Sequence, residues 1–232
     1  MEGYFGYYGY MGIALLLSLV GLYVNQRLKA KFRKYSQVPL QAGMSGAQVA
    51  RAMLDHYGIR DVQVTLGRGM LTDHYNPLTR TVALSPDVYN GRSIAAAAVA
   101  AHECGHAVQH ASAYALLRVR SGLVPIVQFS ASIQQWLLII AFVTLNTLPQ
   151  IMFITIVVFM ATTLFSLVTV PVEFDASRRA LAWLDGSGIT RGREQAGAKD
   201  ALWWAAMTYV AAALSALVML LYLIFRYSAA RD

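Results

Sequence analysis

The chain has 232 residues, of which 57% are hydrophobic and only 13% charged. Soluble domains carry about 25% charged residues, so this deficit, with a mean hydropathy of +0.47, excludes an ordinary water-soluble globule and points to lipid around much of the surface. The net charge of +7 does not indicate nucleic acid: the basic residues are not interleaved with aromatics in a polar domain, and Arg27, Lys29, Lys31, Arg33 and Lys34 follow directly on an apolar segment, as in a cytoplasmic membrane flank.

That apolar segment, residues 4–24, is free of charge and long enough, at about 1.5 Å per residue, to cross a bilayer as a helix. No basic region precedes it, so it reads as a retained anchor rather than a cleaved signal peptide. Tyr4, Tyr7, Tyr8 and Tyr10 crowd its outer end and read as an interfacial aromatic belt. A polar region follows, residues 36–118. Ser45 and Gln48 form a capping box for a helix that runs to about Tyr57 and ends at Gly58. Residues 62–66 alternate like a strand, residues 67–76 supply turn residues, and Thr81, Val82, Ala83 and Leu84 read as a second strand. Ser85-Pro86 opens a helix, with proline at its first position. From Arg92 to about Arg118 the sequence is an alanine-rich helix with one internal glycine before its end, a composition of high helix propensity.

Residues 121–172 contain no charged side chain. As one helix they would extend roughly 75 Å, against a bilayer core of about 30 Å, so the segment must fold back, and Asn146-Thr147-Leu148-Pro149 is the turn. A polar stretch, residues 173–200, contains a helix ending at Gly186, and residues 201–225 form a last charge-free span. Four spans result. Basic residues cluster after the first and between the third and fourth (Arg178, Arg179, Arg191, Arg193, Lys199), which puts both polar regions in the cytoplasm and both termini outside. The one cysteine, Cys104, excludes an internal disulfide.

The chemistry concentrates in His102-Glu103-Cys104-Gly105-His106. Two histidines four apart project from one helix face, one turn apart, as a shared zinc ion requires. Glu103 lies roughly 100° around the axis, where it reaches a zinc-activated water as general base without taking a ligand position. In this composition a chance H-E-x-x-H arises on the order of a few times in a thousand. A third ligand is needed. His110 continues the spacing but lies about 12 Å along the axis from His102, too far unless the helix breaks. The downstream carboxylates are Glu173, Asp175, Asp185, Glu194, Asp200 and Asp232. Glu173 stands out, because it begins a helix where the hairpin returns; the alternative is a carboxylate favoured by that helix's N-terminal dipole.

His102 to Gln109, taken with the later Val172-Glu173-Phe174-Asp175-Ala176-Ser177-Arg178-Arg179-Ala180, resembles the YugP-like family of neutral zinc metallopeptidases over nearly the whole chain. The order of motif helix, membrane hairpin and glutamate helix also resembles the HtpX-type and CAAX prenyl proteases, which are gluzincins. The resemblance implies a ligand set of His102, His106 and Glu173, with Glu103 catalytic and Zn2+ as cofactor. The HtpX pattern carries an aspartate four residues after the ligand glutamate; here that position is Ser177. Asp175 would face roughly 200° away from Glu173, which argues against its supporting a ligand.

Among the remaining residues, Thr81 to Leu84 could be an edge strand that pairs with an extended substrate, or simply a structural hairpin strand. His74, Tyr75 and Arg179 could stabilise the oxyanion, or be ordinary surface groups. Cys104 points away from the histidines, toward a neighbouring helix. The expected protein is thus mainly α: four transmembrane helices with a small α+β gluzincin-like zinc-peptidase domain. It is expected to be a multi-pass cell-membrane protein that hydrolyses peptide bonds of membrane-associated proteins or peptides at the cytoplasmic face. Its partners are the bilayer and a peptide substrate, with no nucleic acid. A non-catalytic scaffold with a structural metal and a zinc amidase on a non-protein substrate are the competing readings.

Overall fold

The computed structural model describes residues 2–69 and 72–230. Residues 70 and 71 of the expected turn, Asp232 among the downstream carboxylates and the side chain of Tyr4 in the expected belt lie outside what is described. The elements run α1 (Glu2–Ser36), α2 (Gly46–His56), β1 (Gln63–Leu66), β2 (His74–Asn76), β3 (Thr81–Leu84), α3 (Pro86–Tyr89), α4 (Ile94–Ala111), α5 (Ala115–Val143), α6 (Pro149–Gly186) and α7 (Arg193–Ala229). Four of these helices, α1, α5, α6 and α7, are long and apolar enough to cross a membrane. They outrun the charge-free stretches at one end or both. Charge marks where a helix meets polar surroundings, not where its backbone hydrogen bonding stops.

The chain divides into two compact units. The first comprises residues 1–24, 119–170 and 208–232. Its core joins Leu138, Phe142, Leu145, Met152, Phe159 and Leu223. Tyr7 and Tyr10 meet Phe142 at ring distances of 5.7 and 5.8 Å, so two tyrosines of the expected belt are packing residues, while Tyr8 is exposed. Large apolar side chains such as Leu16, Phe129, Trp136 and Phe225 point outward, as a lipid-facing surface requires.

The second unit comprises residues 25–118 and 171–207. Ser45 caps α2 with the expected box, its side chain accepting from Gln48 N and the Gln48 side chain accepting from Ser45 N. At its far end Gly58, at φ +67°, lets Ile59 N–H reach Leu54 O and Gly58 N–H reach Asp55 O, a Schellman stop. Behind α2 lies α4, whose run of alanines is buried on nearly every side. Val49, Met53, Val82, Leu84, Ala101, Cys104, Ala180, Leu184 and Ala198 make the shared core.

Four expectations are corrected here. The alanine-rich helix does not run to Arg118. It stops at Ala111, where Tyr114 N–H bonds Gln109 O and Ala113 N–H bonds His110 O. This is again a Schellman stop, but with Ala113 in the left-handed position at φ +52° where glycine is usual, so the sequence carries no stop signal. The expected turn over 67–76 contains a third strand, β2. The sheet order is β1-β3-β2, with β1 parallel and β2 antiparallel to β3. Thr81 to Leu84 is therefore the central strand, paired on both sides, and cannot add a substrate strand. Alternation reports which face of a strand is buried, never which of its edges is paired. Finally, Glu173 does not begin a helix; it lies well inside α6, so the N-terminal dipole account of it falls away.

Candidate metal centre

The motif helix and α6 touch backbone to backbone. A Cβ built on Gly105 would lie 2.5 Å from Ala176 O, closer than real contacts, so only glycine admits this approach. It sets Glu173, one turn before Ser177, opposite the two histidines. His102 Nε2 lies 3.3 Å and His106 Nε2 3.5 Å from Glu173 Oε2. The imidazoles stand edge to face, 4.9 Å apart.

The far nitrogens of both rings are engaged. His102 Nδ1 is 3.1 Å from Ser177 Oγ, and His106 Nδ1 is 3.0 Å from Gln109 Oε1. Both Nε2 atoms are thereby turned toward the glutamate. Glu173 is buried, which alone would raise its pKa, but hydrogen bonding and charge from His102 and His106 hold it well below the usual carboxylate range. Burial pulls His106 down, yet Glu173, together with Glu103 and Gln109, more than offsets this and its pKa is raised.

Among the described residues, His102, His106 and Glu173 form a group whose ligand atoms all lie within 4.8 Å of one another and could hold a metal ion. The fit to zinc is close. Tetrahedral zinc with bonds of about 2.0–2.1 Å places neighbouring ligand atoms about 3.3–3.4 Å apart, and the two nitrogen–carboxylate separations are 3.3 and 3.5 Å. Two imidazoles and one carboxylate leave the fourth position of a tetrahedron open, as a catalytic site needs.

Glu103, largely buried, lies next to His102 on α4, and its Oε2 accepts the backbone N–H of Tyr75 in β2 at 3.0 Å. Tyr75 Oη lies 2.7 Å from His110 Nδ1, so His110 belongs with β2, outside the metal group. Cys104 points to the other side, its thiol donating to Ala50 O at 3.5 Å, and burial pushes its pKa up. His74 is exposed and its Nδ1 rests 2.7 Å from Thr72 O. Arg179 donates to Asp175 Oδ2 at 2.6 Å and stacks over Tyr114.

Sequence reasoning missed Gln109 and the part played by Asp175. Gln109 is fully buried, and its Nε2 donates to Val172 O at 2.8 Å and Asp175 Oδ2 at 3.0 Å. Asp175 does face away from Glu173, as helix geometry requires, but the glutamine side chain bridges the gap. Arg178 also pairs with Asp175. A signal was present: an amide three residues after His106 shares its helix face, and an apolar stretch has little other use for it.

Four helices able to cross a membrane, with two H-E-x-x-H histidines and a distant glutamate gathered at one point, are the features of the zinc metallopeptidase class. Residues 10–228 match the family described as "Putative neutral zinc metallopeptidase", and the chain belongs to that family. It is 41% identical over 222 residues to "Putative membrane protease YugP" of Bacillus subtilis (strain 168), covering 95% of this chain and 98% of that protein. No solved structure matches it. Zinc is accordingly the cofactor, and the protein is a multi-pass membrane protein.

Proposed function

We propose that the chain is a gluzincin-like zinc endopeptidase that hydrolyses peptide bonds of membrane-associated proteins or peptides, with its site on the cytoplasmic face. The observation that carries this reading is the meeting of His102, His106 and Glu173, with Glu103 next to His102 on the same helix. In it the first three residues hold the metal and Glu103 is the general base. Zinc, when bound, supplies Lewis-acid polarisation of the scissile carbonyl and activates water at neutral pH. Glu103 accepts a proton from the attacking water and delivers it to the leaving nitrogen. The Tyr75 N–H holds one oxygen of that carboxylate, fixing its direction. The sheet edge toward α4 belongs to β2, because Tyr75 spends its N–H on Glu103 rather than on β3. The juxtamembrane position of Glu173, directly after a charge-free run of α6, favours substrates near the lipid surface. The basic clusters in the C-terminal part of α1 and around the α6–α7 connection favour the cytoplasmic side.

The test uses the purified full-length protein. Glu103→Gln is expected to retain zinc and lose peptide hydrolysis by roughly 10²–10⁴-fold, whereas His102→Ala and His106→Ala lose the metal. Undiminished hydrolysis in Glu103→Gln removes Glu103 as base, and full zinc occupancy in both histidine variants removes the centre. Zinc without hydrolysis in the wild type would favour a structural metal.

A further inference from the structure

We infer that Gln109 is a positioning residue that fixes the tautomer of His106 and so presents its Nε2 lone pair to the metal. The inference rests on the metal centre proposed above. The geometry leaves the amide no choice of orientation. Its nitrogen faces Val172 O at 2.8 Å and Asp175 Oδ2 at 3.0 Å. A backbone carbonyl is only an acceptor, and an ionised carboxylate is too. Arg178 and Arg179 both pair with that carboxylate, and the Val172 carbonyl fixes the amide on its own. Turning the amide over would set its oxygen against both acceptors, so the carbonyl must face His106.

That carbonyl lies 3.0 Å from His106 Nδ1. An amide oxygen can only accept, hence Nδ1 carries a proton, and in the neutral imidazole that a metal binds the lone pair falls to Nε2, the nitrogen on the Glu173 side. The other ligand has no such constraint, since Ser177 Oγ, 3.1 Å from His102 Nδ1, both donates and accepts. The glutamine also ties α4 to the backbone of α6 at Val172, the residue before Glu173. One side chain therefore sets the direction of one ligand and pins the helix that carries another. The Arg178 and Arg179 pairs with Asp175 complete a chain from the surface of α6 to His106.

The experiment measures zinc affinity of the full-length protein by competition with a chromophoric chelator, and records imidazole N–H resonances of the zinc-loaded, 15N-histidine-labelled protein. Wild type should show a slowly exchanging Nδ1–H on a histidine whose Nε2 is metal-bound, a resonance absent from His106→Ala. Gln109→Met should bind zinc roughly 10–100-fold more weakly, and at saturating zinc it should lose that protected proton. Gln109→Glu keeps an acceptor at the same reach and should retain the resonance, while its second oxygen, set against Val172 O and the Asp175 carboxylate, lowers the melting temperature. If wild type takes up no zinc, the metal centre falls and the inference with it. If wild type binds zinc while Gln109→Met binds equally tightly with the Nδ1 proton in place, the centre stands and the role of Gln109 is overturned.

Discussion

Gly105 is what lets α4 and α6 meet at the proposed metal centre. It sits between His102 and His106, and the space a methyl group would need holds the backbone oxygen of Ala176. A backbone carbonyl inside α6 cannot swing away as a long side chain could. Gly105→Ala is therefore expected to force α4 and α6 apart, costing about 1–3 kcal/mol as overpacking does. It should also weaken zinc binding, because Glu173 would be drawn off both Nε2 atoms together. A thermal melt with and without zinc checks this: a variant with unchanged melting and unchanged zinc affinity would show that the helices do not rely on this contact. Glycine was visible in the sequence as one residue inside an alanine-rich helix. What it admits could not be read there, because its partner lies 71 positions later.

At the scale of elements, the ends of helices separate what is legible from what is not. Gly58 and Gly188 stand in the left-handed position that closes α2 and α6, and glycine there is a signal any sequence reading can use. Ala113 makes the same turn after α4 without that signal. Ala113 is itself exposed and its turn is closed by local backbone hydrogen bonds, so a continuous helix was the expectation. The joining of α1 to α7 in the second unit rests on Asp200, which accepts from Lys31 Nζ and Tyr35 Oη, each at 2.7 Å. Burial alone would raise the Asp200 pKa, but those partners lower it, and the Asp200 hydrogen bond helps push Tyr35 up to about 12. A depressed carboxylate stabilises the fold above its unfolded pKa of about 3.9, and that contribution disappears as pH falls through the folded value. Asp200→Asn should therefore melt lower than wild type near neutral pH, and the gap should close on acidification below about pH 4. A gap of constant size across that range would show that the charge on Asp200 contributes nothing.

For the whole molecule, sidedness decides whether the proposed site can exist. Two crossings separate α4 from the Glu173 turn of α6 if α5 and the first part of α6 each span the bilayer once, and an even number returns the chain to the same side. Reporter fusions after Lys34 and Gly186 are expected to report cytoplasm, and one after Asn146 the outside. Opposite sides for Lys34 and Gly186 would end both the four-span topology and the assignment of Glu173 as a ligand.

By itself the sequence determined the four long apolar helices, the return turn at Asn146 to Pro149, the capping box at Ser45, and the paired histidines with their neighbouring glutamate. All of these depend on composition or on residues within about one helical turn of each other, where backbone geometry is known in advance. Only the tertiary structure decided that Thr81 to Leu84 is a central strand, that His74 to Asn76 forms the edge, and that Glu173 sits within a long helix. It alone brought Gln109 to Asp175 and Val172, and the Tyr75 N–H to Glu103. Each of these is a pairing across tens of residues, fixed by which surfaces bury one another. Local periodicity says which face of an element is apolar, and is silent on what comes to cover it.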